Sequence, residues 1–174
     1  KLRFTARRTM IVAQQLYEGI ALGEQESAGL ITYMRTDSTT VSGEALREAG
    51  SYIKERFGAE YAPASPRLYK KKVKGAQEAH EAIRPSDVRV LANQLNAVEA
   101  DAVRLYTLIW QFFVACQMPP ARYLSSTIAV EAAEFELRIK GRIMQFDGYL
   151  RAMPSKDEDV ILPNVKVGEV LELI

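Results

Sequence analysis

Met10, Ala13, Leu16, Tyr17 and Ile20 recur at three- and four-residue steps. That period lines one face of an α-helix, and it predicts a first helix here. Thr5 is placed to cap its start, and Gly19 and Gly23 end it. Residues 30–36 are a short β-favouring run entered through Gly29. Thr36 to Thr40 is dense in side chains that hydrogen-bond their own backbone, which predicts a turn and the approach to a helix. Ser42 caps that second helix, with Glu44 in its first turn. Leu46, Ala49, Ile53 and Phe57 form its apolar stripe, and Gly58 stops it.

Residues 61–74 read as a loop punctuated by Pro63 and Pro66. Gly75 to Arg84 reads as a short helix ended by Arg84-Pro85, because the residue before a proline avoids the helical region. Asn96, with Glu99 three residues on, matches a capping box. The helix it opens runs to about Gln117, roughly 30 Å at 1.5 Å per residue. Val103, Leu105, Tyr106, Leu108, Ile109, Phe112, Phe113 and Cys116 make it apolar on most faces, so burial is expected, and Pro119-Pro120 breaks it. The period then changes to two. Tyr123 to Val130 reads as a strand, and Phe135, Leu137 and Ile139 alternate with Glu136, Arg138 and Lys140. Asp147-Gly148 predicts a turn. Val165, Val167, Val170, Leu171 and Leu173 predict a final strand pair around Gly168. The chain therefore divides near Pro119 into a helical part, residues 1–118, and a β-rich part, residues 119–174: an α+β fold.

Composition narrows the class. Across 174 residues, 48% are hydrophobic and 26% charged, which suits one globular domain or two small ones. A chain of this size buries a core without a disulfide or metal staple. Cys116 is the one cysteine, so no internal disulfide forms, and a reducing, cytoplasmic compartment fits best. No run approaches the roughly eighteen apolar residues of a membrane span. No cationic and apolar leader opens the chain. It starts at Lys1 rather than Met, which points to a piece of something longer. Residues 1–118 hold 16 basic against 13 acidic side chains, and residues 119–174 hold 7 against 9. Residues 1–90 hold 15 basic against 11 acidic and residues 91–174 hold 8 against 11, so the first part is the better face for a polyanion.

Tyr33 and Arg35 lie two apart in the β-favouring run, so in an extended segment they project to one side. A phenol beside a guanidinium can serve as a nucleophile next to a fork of phosphate donors. The cation favours the phenolate and stabilises charge on the phosphoryl oxygens. On spacing alone the simpler reading is a strand with one buried tyrosine and a polar exit turn. His80 is the only histidine, and on the expected helix Arg84 follows four residues later on the same face. It reads as a surface histidine or as a proton carrier beside a phosphate. Lys70, Lys71, Lys72 and Lys74 form a basic knot, either a solvated loop or a phosphate contact. Tyr69 and Tyr123 can stack bases or simply line a core. One His and one Cys fall short of a zinc ligand set, and Asp157-Glu-Asp159 reads as a solvated turn.

Four ordered segments then carry a resemblance. Gly29-Leu-Ile-Thr-Tyr-Met-Arg-Thr-Asp-Ser-Thr39 resembles the active-site tyrosine segment of type IA DNA topoisomerases. Thr9 to Gly19 resembles the family's preceding helix, Ala76-Gln-Glu-Ala-His-Glu-Ala-Ile-Arg-Pro85 its histidine segment, and Leu105 to Ala121 the long helix leaving that domain. Asp147-Gly-Tyr149 resembles a following strand. The departures are small: the family often has Arg at Phe112 or Gln111 and Ser at Cys116. Met34 is similar to the bacterial topoisomerase I branch rather than the topoisomerase III branch, which commonly has proline there.

The resemblance implies that Tyr33 cuts one DNA strand and holds its 5′ end as a phosphotyrosine ester. It implies that Arg35 positions the scissile phosphate and that His80 assists cleavage and religation. Thr36, Asp37 and Arg84 are implied as further DNA contacts. Residues 1–118 would be the tyrosine-bearing domain and residues 119–174 part of a β-rich arch, a portion of a toroidal architecture. Strand passage would relax negatively supercoiled DNA without a nucleotide. Mg²⁺ would sit on a toprim domain outside this chain, so the 174 residues alone are expected to be inactive, with single-stranded DNA and the parent's other domains as partners and no membrane. Two other classes remain in view: a non-catalytic single-stranded-DNA-binding module, and an interaction domain docking through its β part.

Overall fold

The computed structural model describes the chain apart from residues 23–24, 70–79, 96–97, 156 and 173–174, and gives the backbone alone for residues 20–28. Helix α1 spans Ala6–Glu18, with the Thr5 hydroxyl accepting from the Arg8 amide and Gly19 closing it at φ 105°. A hairpin follows, β1 (Ile20–Leu22) against β2 (Gln25–Ala28), antiparallel. Helix α2, Gly43–Phe57, is capped by the Ser42 hydroxyl on the Ala45 amide and ends at Gly58. Helix α3, Ala100–Gln117, runs about 27 Å at 1.5 Å per residue. Then come β3 (Arg122–Ala132) and β4 (Phe135–Phe146), paired antiparallel through a two-residue turn. The fold is α+β, with no membrane-length apolar helix among the described residues.

Helix α3 is the beam on which the rest is laid. Its first half shares a core with α1 and the tyrosine segment: Val12, Leu16, Leu30, Ile31, Met34, Leu95, Leu105 and Tyr106. Its second half packs on α2 through Ala49, Ile53, Val88, Phe113, Val114 and Met118. Trp110 touches both clusters. Two α3 side chains also tie down the incoming chain. The Tyr106 hydroxyl donates to the Val90 carbonyl at 2.8 Å, and the Trp110 indole donates to the Val88 carbonyl at 2.8 Å. Burying these rings without partners would strand their polar atoms, so the pairings fix where residues 88–90 lie.

Several sequence expectations are corrected here. The Leu30–Thr36 run forms a single bridge, Ile31 to Pro85, rather than a strand. Residues 75–79 of the expected helix to Arg84 lie outside the described residues, but residues 80–84 are not helical. The Ala82 amide donates to the Thr40 carbonyl and the Arg84 carbonyl accepts from the Thr32 amide, so neither group serves a helical ladder. Asn96 and Gly23 lie outside the described residues. Helix α3 begins at Ala100, with Glu99 as a cap lacking a side-chain bond. Glu99 and Asp101 instead bind the Arg8 guanidinium, the latter at 2.7 Å, which adds negative charge where the helix dipole favours it. Phe112 is 52% exposed rather than buried, with the Lys1 ammonium over its ring. The strand pair expected around Gly168 is absent among the described residues: Lys166 and Glu169 close a tight turn there, and Val167 and Val170 are exposed. A β-favouring run becomes a strand only when another strand's N–H and C=O groups lie beside it.

The β3–β4 ribbon has two unlike faces. Register puts Ile128 opposite Ile139 and Val130 opposite Leu137 on one, and Thr127 opposite Lys140 and Ala129 opposite Arg138 on the other. Where it meets the helical part, the Tyr61 hydroxyl donates to Asp147 at 2.6 Å and its ring lies 5.0 Å from Phe146. Gly148 sits at φ 50° against the Pro119 carbonyl, where a Cβ would come within 2.5 Å. Only glycine fits that corner.

Candidate active site

The tyrosine segment is held between α1 and residues 82–86. Gly29 enters it in close contact with α1: a Cβ there would lie 2.6 Å from the Tyr17 carbonyl oxygen. The Leu30 amide donates to the Leu16 carbonyl at 2.7 Å. On the other side, the Thr32 amide donates to the Arg84 carbonyl and the Ser86 amide to the Leu30 carbonyl, each at 2.9 Å. These bonds come from the neighbours of Pro85, so its missing N–H leaves no gap. The Thr32 hydroxyl donates to the Ala82 carbonyl at 2.7 Å and accepts from the Arg84 amide at 2.9 Å.

This lacing brings Tyr33 and His80 together across 47 positions of sequence. Their rings lie 4.7 Å apart between centroids, tilted by 37°. Tyr17 meets the Tyr33 ring edge-on at 5.4 Å. Met34 is buried in the core, while Tyr33 is half-buried and His80 exposed. The phenol thus stands on a fixed backbone with an imidazole against its ring and solvent within reach.

Arg35 is exposed and donates from Nη2 to Gln14 Oε1 at 3.4 Å. Gln14 in turn donates to Glu18 at 2.6 Å. Gln14 and Tyr17 lie three apart on α1, so Arg35 and Tyr33 lean on one face of that helix. The Thr36 hydroxyl accepts from the Ser38 amide at 3.0 Å within the exit turn, and Asp37 is exposed. Arg84 does not share a helix face with His80. Its guanidinium binds Glu81 at 2.7 Å and the Pro85 carbonyl at 2.9 Å, with 14% of the side chain exposed. Sequence reasoning missed Gln14 and Thr32, and took Tyr17 as part of an apolar stripe. Their one signal was position: Gln14 and Tyr17 belong to the helix segment already singled out, and Thr32 immediately precedes Tyr33.

The acidic residues have other work. Asp159 accepts from the Met144 amide at 2.9 Å and Asp157 pairs with Arg142 at 3.6 Å, holding residues 157–160 along β4. Arg142 also lies over the Tyr123 ring. Among the described residues no three His, Cys, Asp or Glu side chains converge as metal ligands. The Lys70–Lys74 knot lies outside the described residues.

A family model described as DNA topoisomerase matches residues 1–174. DNA topoisomerase 1 of Pseudomonas aeruginosa is 51% identical over 177 residues, covering 100% of this chain. The chain belongs to the bacterial DNA topoisomerase I family. The Vibrio cholerae DNA topoisomerase 1 is 52% identical over 176 residues. A solved structure of full-length topoisomerase I from Thermotoga maritima superposes with a TM-score of 0.80 at 34% identity, covering 95% of this chain and 26% of that one. The chain spans 19% of the length of these Pseudomonas and Vibrio relatives. The family membership agrees with the resemblance carried by the tyrosine, histidine and long-helix segments.

Proposed function

We propose that this chain is the tyrosine-bearing segment of a bacterial type IA DNA topoisomerase, acting in the cytoplasm on the chromosome. In this reading the Tyr33 phenol attacks one phosphodiester of single-stranded DNA. The oxygen–phosphorus bond to the 3′ side breaks, a 5′-phosphotyrosine ester forms, and the leaving 3′ oxygen takes up a proton. Religation runs the same steps in reverse. One ester is exchanged for another, so bond energy is conserved without a nucleotide, and supercoil strain supplies the drive for relaxation.

The observation that carries this is the ring contact between Tyr33 and His80, made by a lattice of backbone bonds rather than by neighbouring sequence. An imidazole so placed can hold or deliver a proton beside the phosphate. Arg35 supplies the guanidinium fork, already braced by Gln14. Thr36 and Asp37 complete the exit turn as DNA contacts. Arg84 joins them only by exchanging its Glu81 partner for a phosphate. Residues 1–118 form the cutting domain and residues 119–174 part of the arch. The donor set of the described residues does not fit a metal, so no step here runs through one. Mg²⁺ belongs to a toprim domain elsewhere in the parent, and the 174 residues alone do not relax DNA.

The test is Tyr33→Phe in the full-length parent. Denaturant-trapped covalent DNA is expected to vanish while single-strand affinity stays within about twofold, since only a hydroxyl is lost. Covalent DNA surviving in the variant would assign the ester to another residue.

A further inference from the structure

A cleft opens beside the tyrosine segment, about 270 Å³ in volume, between residues 39–41 on one wall and the strap Arg67–Tyr69 on the other, with Leu46 also lining it. The strap is held from beneath by Gln117. That side chain is 2% exposed, and its amide grips one residue twice: Oε1 accepts from the Arg67 amide at 3.0 Å, and Nε2 donates to the Arg67 carbonyl at 3.1 Å. The Thr39 hydroxyl donates to the Tyr69 carbonyl at 3.0 Å, closing the cleft. The Tyr69 hydroxyl donates to the Cys116 carbonyl at 2.8 Å, so its ring is fixed while the residue stays 48% exposed. Arg67 is exposed, and among the described residues its guanidinium has no carboxylate partner.

A buried amide that holds a strap's backbone at both of its polar groups leaves the strap's side chains facing out in a set arrangement. Here they are a cation, an aliphatic side chain and an aromatic ring. A phosphate and a base face need the cation and the aromatic ring, and single-strand-binding surfaces combine those two. The cleft wall is also continuous with the cutting site. The Thr40 carbonyl accepts from the Ala82 amide, two residues from His80.

We propose that this cleft takes one nucleotide of the single strand held at Tyr33, with its phosphate on Arg67 and its base against Tyr69. Gln117 is a positioning residue for the strap. The inference rests on the DNA-cutting reading of Tyr33. The test uses the full-length protein and a fluorescein-labelled oligothymidylate, read by anisotropy across a salt series. Arg67→Ala is expected to weaken binding roughly fivefold and to lower the salt slope by about one. Tyr69→Ala is expected to weaken binding roughly fivefold or more. Tyr69→Phe, which keeps the ring but loses the bond to Cys116, is expected to bind as wild type. A merely structural Tyr69 would make Phe and Ala equally poor, and that result overturns the stacking role. Unchanged affinity and salt slope in Arg67→Ala, in protein that still traps DNA covalently, overturns the cleft while leaving Tyr33 as the nucleophile. Wild-type protein that traps no covalent DNA overturns the Tyr33 reading itself.

Discussion

Thr32 shows what one side chain decides. Its hydroxyl donates to Ala82 and accepts from Arg84, so a single oxygen adds two bonds to the backbone lacing between the tyrosine segment and the segment that carries His80. Thr32→Val keeps the shape and removes both bonds. With two part-buried backbone groups left unpaired, a stability loss of about 1–3 kcal/mol is expected in thermal melts. Covalent DNA formation should slow more than DNA binding weakens, and Thr32→Ser should restore much of both. Equal cleavage rates in Val and wild type would mean that the Tyr33–His80 contact does not depend on this oxygen. Tyr106 offers a second residue-scale test. Its burial pushes the phenol well above its ordinary range. In the unfolded chain a phenol ionises near pH ~10. Above that pH the unfolded state sheds a proton that the folded state keeps, so stability is full below it and falls as pH rises. Tyr106→Phe should cost about 1 kcal/mol at neutral pH through the lost Val90 bond. It should also flatten the alkaline decline; a decline equally steep in the variant would place its origin elsewhere.

At the scale of elements, Gly29 is the tightest joint. The tyrosine segment leaves β2 and passes directly over the end of α1, with no room for a methyl group. Gly29→Ala should push that segment off the helix, costing about 1–3 kcal/mol as overpacking does. The displacement should also pull Tyr33 from the Tyr17 ring. Denaturant unfolding of Gly29→Ala checks the first effect, and the yield of trapped DNA checks the second. A variant with wild-type stability would show that α1 yields easily there. The helices themselves were legible in sequence because their signals are local. Thr5, Ser42, Gly19 and Gly58 cap or close α1 and α2 as the pattern foretold. Residues 80–84 were misread as helix because the bonds that hold them out of a helix come from Thr32 and Thr40, about 40 to 50 positions earlier. No window of neighbouring residues contains that information.

Across the whole molecule, α3 joins two cores, while the ribbon's residues are mostly exposed. The Tyr61–Asp147 bond fastens the ribbon's base to the helical body, and the bonded carboxylate together with burial raises the Tyr61 phenol above its usual range. Tyr61→Phe should leave the helical body intact, costing about 1 kcal/mol, while speeding amide exchange at the start of β3 and the end of β4. Unaltered exchange there would leave the seam to the Tyr61–Phe146 rings and the Pro119 corner. On the proposed reading, which places the metal half outside these residues, the 174 residues supplied with supercoiled DNA and Mg²⁺ should show no relaxation. Detectable relaxation would mean that the reaction needs no second half.

Sequence alone determined helices α1 and α2 with their caps, the change of period near Pro119 and the α+β class, and it singled out Tyr33, Arg35 and His80 as candidates. Each of those is written in spacing of a few positions or in a contiguous motif. Tertiary structure alone decided that Tyr33 and His80 touch, that Arg84 turns to Glu81, that Gln117 holds the strap, and that the valines near Gly168 form no strand. Those outcomes depend on which distant backbone groups stand opposite. A hydrogen bond is made by position in space, and the local pattern carries no record of what folds against it.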